Sequence, residues 1–274
     1  MARPLHAMTR ARTVRLTAVA TAAIAALTGC GNPDTSTGAT TTTPATTACS
    51  DGSAAYQPPD EVCNATMVWS AEPGIDLYSP EATLVRAAWE SDEIGSYAGL
   101  EQTYPGFARA LSPEYHGRGR YREERYRGTV FGTVLGHILE IETTADGFLG
   151  KFCVLSNGFA RLEDDGRYAR SNGRGFDPEV RFTRTETASP STDTATTAPT
   201  TYAPAPDRLQ WQAPTYDVFD GWRVSFPTRY EDRNRCDAWA LSQDPDAPAE
   251  VEAVYSDTPP PVLPAYPGWP ATPD

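Results

Sequence analysis

The residues best suited to chemistry are one histidine and one arginine cluster. His137 falls in a run where Phe131, Leu135, Leu139 and Ile141 alternate along one face of an expected strand, with Val130, Val134 and Ile138 along the other. If the His137 face lines a cavity, the imidazole is placed to act as a base or a ligand group. Otherwise it is a buried histidine satisfied by one backbone hydrogen bond. Tyr97, Tyr104 and Glu140 are residue types used in proton transfer, but no spacing joins them to His137. The segment 116–127 (HGRGRYREERYR) sets Arg118, Arg120, Arg122, Arg125 and Arg127 around Glu123 and Glu124. Guanidinium forks grip carboxylate or phosphate, so Arg118, Arg120 and Arg122 are candidates for an anionic ligand. The alternative is a solvated loop with internal ion pairs, each worth little. No GxSxG, SxxK, HExxH or P-loop pattern occurs, so no nucleophile is matched to a base by motif. Catalysis is therefore not the leading expectation.

The N-terminus reads as an export address. Arg3, Arg10, Arg12 and Arg15 make a basic start, and Leu16 to Leu27 is a short apolar run. Leu27-Thr28-Gly29-Cys30 then resembles the bacterial lipobox. The resemblance implies cleavage after residue 29 and a diacylglyceryl group on Cys30, whose two chains anchor the protein stably where a single chain would not. No apolar stretch approaches the roughly 20 residues of a membrane-spanning helix. With Cys30 set aside, Cys49, Cys63, Cys153 and Cys236 remain, an even number that implies disulfides in an exported chain. Three pairings are possible, and Cys49–Cys63 with Cys153–Cys236 is the favoured one. With no CxxC and only His116 and His137 beyond the signal, neither a metal nor a cofactor is expected.

Composition bounds the partners. The net charge of −13 argues against nucleic acid, which needs a basic surface. Removing the four signal arginines makes the remainder still more acidic. Lys151 is the sole lysine against many arginines, a bias that, with the lipobox, points to a high-GC Gram-positive bacterium.

Beyond the signal at 1–29, the chain divides by composition. Residues 30–48 are a Thr-rich tether with no apolar periodicity. Globular patterning runs over 49–239, interrupted at 186–206 by a second Thr/Ala/Pro-rich stretch. That stretch is read as a disordered insertion between two strands of one domain, because residues 207–239 are too poor in apolar side chains to form a core of their own. Residues 240–274 are acidic and Pro-rich and are expected to be disordered.

Within the domain, Ser79-Pro80-Glu81 is a helix start, with Leu84, Val85, Ala88 and Trp89 after it at helical spacing. One or two short helices are expected over 97–111, broken at Tyr104-Pro105-Gly106. A β pattern begins near Tyr126. The turns Ala145-Asp146-Gly147 and Asp164-Asp165-Gly166 separate strands, and 180–185, 209–213 and 222–228 add more. From Pro80 to Cys236 the chain resembles the NTF2-like (SnoaL-like) domains of extracytoplasmic lipoproteins. The likeness is carried by the opening helix, the stretch 128–153 (GTVFGTVLGHILEIETTADGFLGKFC) and the closing Asp220-Gly221-Trp222-Arg223-Val224. It implies an α+β, cone-shaped fold with helices packed on a curved antiparallel sheet. The expected function is a membrane-anchored, non-enzymatic lipoprotein binding an envelope partner or a small hydrophobic ligand. The alternative is an envelope enzyme using the cone as its active site, with His137 the residue that would carry it.

Overall fold

The computed structural model describes residues 56–116, 119–121, 128–185, 209, 211, 213–214, 216–227 and 234–269. They form an α+β domain in which four short or medium helices accompany one large, mostly antiparallel sheet.

Helix α1 (Pro80–Ala98) starts where the sequence places it. The Ser79 side chain accepts a hydrogen bond from the Ala82 amide, with Pro80 in the first turn. It stops at Gly99, whose φ of 97° suits only glycine. Nearly every residue from Ala82 to Ala98 is buried. The helix is covered nearly all round, which accounts for its four alanines, two serines and Gly95. After it come a 3-10 turn (Leu100–Gln102), α2 (Phe107–Ala110) and α3 (Pro113–His116), broken at Tyr104-Pro105-Gly106 as expected.

The sheet is built on β2 (Val130–Thr144), its longest strand. Before it in the chain comes β1 (Asn64–Ala71), which pairs with β2 in parallel. The helix-first order expected from the sequence is thus incorrect: a strand precedes α1. A parallel pair needs a long crossover, and α1 supplies it. Residues 131–138 of β2 bond to β1 along one edge, so β3 (Gly147–Leu155) and β4 (Phe159–Leu162) share the opposite edge. Beyond them the sheet forks. β6 (Glu179–Arg184) and β7 (Trp222–Ser225) continue from β3, while β5 (Tyr168–Asn172) and β8 (Glu252–Ser256) continue from β4.

β6 and β7 are neighbours, so the segment between them does connect two strands of one sheet; residues 186–206 themselves lie outside the described residues. The expected strand over 209–213 is absent from the described residues there. Trp211 instead enters the core as irregular chain, 2% exposed.

The region read as a disordered tail is ordered to Trp269. Helix α4 (Asp237–Gln243) runs across the boundary drawn at 239/240, and β8 pairs with β5. The Tyr266 backbone bonds to Met67 and Trp69 of β1. Trp269 lies 4.5 Å from the guanidinium of Arg86 and edge-on to Tyr104. A few aromatic anchors and one short strand hold a Pro-rich strap that has no core of its own.

Cys153 and Cys236 are joined, as favoured, closing an 83-residue separation. Cys63 is also disulfide-bonded; Cys49 and Cys30 lie outside the described residues.

Val85 of α1 sits against Gly150 of β3 so closely that a Cβ at 150 would overlap its methyl groups. Gly150→Val is expected to lower stability by about 1–3 kcal/mol through overpacking. A shift in the urea midpoint with an unchanged slope checks it.

Candidate functional site

The space between α1 and the forked sheet holds two cavities. The larger, about 730 Å³, is walled by Trp89 and Asp92 of α1, Tyr115 and Tyr121, the 174–179 segment, Phe226–Pro227 and the strap at 249–251. The smaller, about 410 Å³, lies over the sheet at Val134, Val154, Phe159 and Ala169, with Tyr97 and Tyr255 at its sides. Arg120 and Phe176 line both and stand between them.

Arg120 is therefore the one arginine of the sequence cluster that the structure brings to a cleft among the described residues. Arg118 and Arg122 lie outside them. Arg120 reaches 2.6 Å from Asp92 and 2.9 Å from Glu93. Burial acts to lower its pKa, but Asp92 and Glu93 more than offset this and raise it, so the guanidinium stays charged. Tyr121 donates a hydrogen bond to Asp92, and its phenol is pushed up by burial and by that carboxylate. An arginine held by two carboxylates is largely neutralised. The expected anion site thus becomes an ion-paired partition in an aromatic cleft.

His137 lines neither cavity. Trp69, across the ladder from Gly136, reaches Glu90 of α1, so His137, the next residue of β2, points to the opposite face. An irregularity between Ile138 and Glu140 turns Ile141 to the α1 side, away from the face on which the alternation set it. The His137 face is covered by α4, whose Trp239 stacks on the imidazole at 5.3 Å. Ser70, directly across the ladder on β1, places Oγ 2.8 Å from Nδ1, and Glu72 Oε1 lies 3.3 Å from Nε2. Two side chains and a stacked ring satisfy the histidine, rather than the single backbone bond expected. Glu140 is on the surface, bonded to Lys151. Among the described residues no group of three His, Cys, Asp or Glu is placed to hold a metal ion.

The sequence pattern did not single out Glu90. Its carboxyl accepts from Trp69 Nε1 at 2.8 Å and from Tyr104 OH at 2.5 Å. Arg86 lies one turn earlier, fully buried, and donates to the Pro267 carbonyl at 3.1 Å. Burial raises the Glu90 pKa, opposed by Arg86 and by the Tyr104, Trp69 and Trp211 side chains, and Tyr104 is pushed up by burial and by Glu90. The i, i+4 spacing of Arg86 and Glu90 inside an apolar stripe was the available signal. Tyr104 thus finds a carboxyl partner, though at Glu90 rather than Glu140.

No family model, curated protein or solved structure matches this chain. The Glu90 cluster borders neither cavity wall, so it acts as a polar core that positions α1 and the strap.

Glu90→Gln turns one acceptor oxygen into an NH₂ donor and leaves Trp69 or Tyr104 without its acceptor. A loss of about 1–3 kcal/mol is expected. A carboxyl whose pKa is raised on folding binds its proton more tightly in the folded chain. Its contribution is therefore greatest below the usual carboxylate range and falls as pH rises through that range towards the raised value. Urea unfolding from acid to neutral pH should show the gap between wild type and Glu90→Gln widest in acid.

Proposed function

We propose that this protein is a membrane-anchored extracytoplasmic lipoprotein that binds a small molecule in the cleft between α1 and the forked sheet, without catalysing a reaction on it. Export and anchoring rest on residues 1–29 and on Cys30. The disulfide chemistry fits an oxidising compartment outside the cytoplasmic membrane. The finer reading of the fold is an NTF2-like cone, a helix laid across a curved sheet with a ligand space between them.

The observation that carries the binding reading is the 730 Å³ cavity. It falls in the range of about 300–1,000 Å³ typical of small-molecule sites, and its wall sets the aromatic rings of Trp89, Tyr115, Tyr121, Phe176 and Phe226 among charged side chains. The enzyme alternative loses its candidate, because His137 lies on the opposite face beneath Trp239. The Ser70–His137–Glu72 chain is a hydroxyl–imidazole–carboxylate arrangement, but neither cavity gives a substrate room beside it.

Two measurements test the proposal. Full-length protein purified from membranes should retain a small-molecule mass in native mass spectrometry. Val251→Trp, which adds bulk at an exposed position on the cavity wall, should lose it while melting like wild type. A wild-type protein that is always empty overturns the ligand reading. Intact-mass analysis should find the mature N-terminus at Cys30 carrying the diacylglyceryl mass. An unmodified residue there, or a different start, overturns the anchor.

A further inference from the structure

The larger cavity has walls of a particular chemistry. Trp89, Phe176 and Phe226 pack edge to face, with centroids 5.8 and 6.3 Å from the indole. Three hydrogen-bond donors of wall residues have no acceptor among the described residues: Trp89 Nε1, Arg120 Nε and Arg174 Nε. Trp89 is only 5% exposed, so water does not readily satisfy its N–H. The wall also carries acceptors. Asp92 and Asp237 are held by Arg120 and Arg174, at 2.6 and 2.9 Å. Asp177, Glu179 and Glu250 add three further carboxylates, of which Glu179 lies 4.0 Å from Arg235.

These features narrow the ligand class. Carboxylates outnumber guanidiniums among the described wall residues, which opposes an anion. A cation would suit the carboxylates but brings no acceptor for the unused N–H groups. A purely apolar molecule would satisfy neither set. A ligand is needed that is uncharged, presents C–H faces to aromatic rings, and carries groups that both donate and accept. Hydroxyl groups do both, and a sugar ring combines them with apolar faces.

We propose that the larger cavity binds a neutral saccharide, an inference that rests on the cavity being a ligand site. The aromatic rings stack on the sugar's C–H faces. The Trp89 and arginine N–H groups donate to ring or hydroxyl oxygens, and the carboxylates accept from hydroxyls.

Calorimetric titration of the full-length protein, in a sugar-free polyoxyethylene detergent, tests this. The probes are maltose, cellobiose and trehalose, with glucosamine as the cationic counterpart and glucuronic acid as the anionic one. At least one neutral disaccharide is expected to bind, with the charged sugars at least five-fold weaker. Trp89→Phe, which keeps a ring but removes the N–H, should weaken binding by about ten-fold. Arg174→Met, at the cavity rim, should do the same if Trp89→Phe proves unstable. Tighter binding of either charged sugar overturns the proposal, as does unchanged affinity in both variants. If no sugar binds while native mass spectrometry still finds a retained mass, the saccharide inference falls and the small-molecule reading stands. An empty protein that binds no sugar removes both.

Discussion

Strand β2 is hydrogen-bonded along both edges over much of its length, and the remainder of the domain is arranged around that fact. Residues 131–138 hold β1 on one side, while β3 and β4 share the other. Because β3 and β4 lie end to end along one edge, the chain between them, Ser156–Gly158, breaks the ladder, and the sheet divides there. Each half then recruits its own outer strands, β6 and β7 or β5 and β8. The cavities sit where the halves part beneath α1, with Phe176 bridging back to Val154 between them. The cleft is a consequence of strand pairing before it is a consequence of side-chain choice.

Both faces of β2 are covered, and the two coverings are held differently. Against α1 the contact is aromatic and polar together: Trp69 packs on Phe152 while its indole N–H serves Glu90. Arg86 and Glu90 are ionisable groups taken out of water inside one helix. Removing one member of such a set costs far more than the set gains, because the remaining group stays buried without its partner. The other face relies on a covalent tie, Cys153–Cys236, which brings α4 and Trp239 onto His137.

This double covering also explains what was legible in the sequence. Local signals read well: the Ser79-Pro80 start of α1 and the turn at Ala145-Asp146-Gly147; the pairing of Cys153 with Cys236 is long-range and was favoured from cysteine count and placement. The side on which His137 lies was not legible. A strand buried on both faces is apolar on both, and alternation no longer tells which face meets the core. β1 was missed because its partner lies more than sixty residues away across a parallel pairing, which leaves no local trace. Arg120 looks free to grip an anion in the sequence because Asp92 and Glu93, which hold it, precede it by nearly thirty residues.

The strap is the clearest case of composition misleading. An acidic, Pro-rich segment has too little apolar surface to fold alone, and that inference is sound for an isolated chain. It fails when the segment is laid on a surface already formed. Proline removes backbone N–H groups, so a strap crossing the domain has fewer donors left to satisfy. Several that remain are used: Leu263 N donates to Thr133 Oγ1, Tyr266 N to the Met67 carbonyl, and β8 pairs with the edge of β5. That pairing also covers β5, which would otherwise offer an open edge to other chains. Residues 249–251 then form part of the larger cavity's wall, and Ala253 and Tyr255 part of the smaller one's. The stretch least able to fold by itself is thus part of what encloses the cleft. The cavities in this domain are enclosed by strap and sheet together.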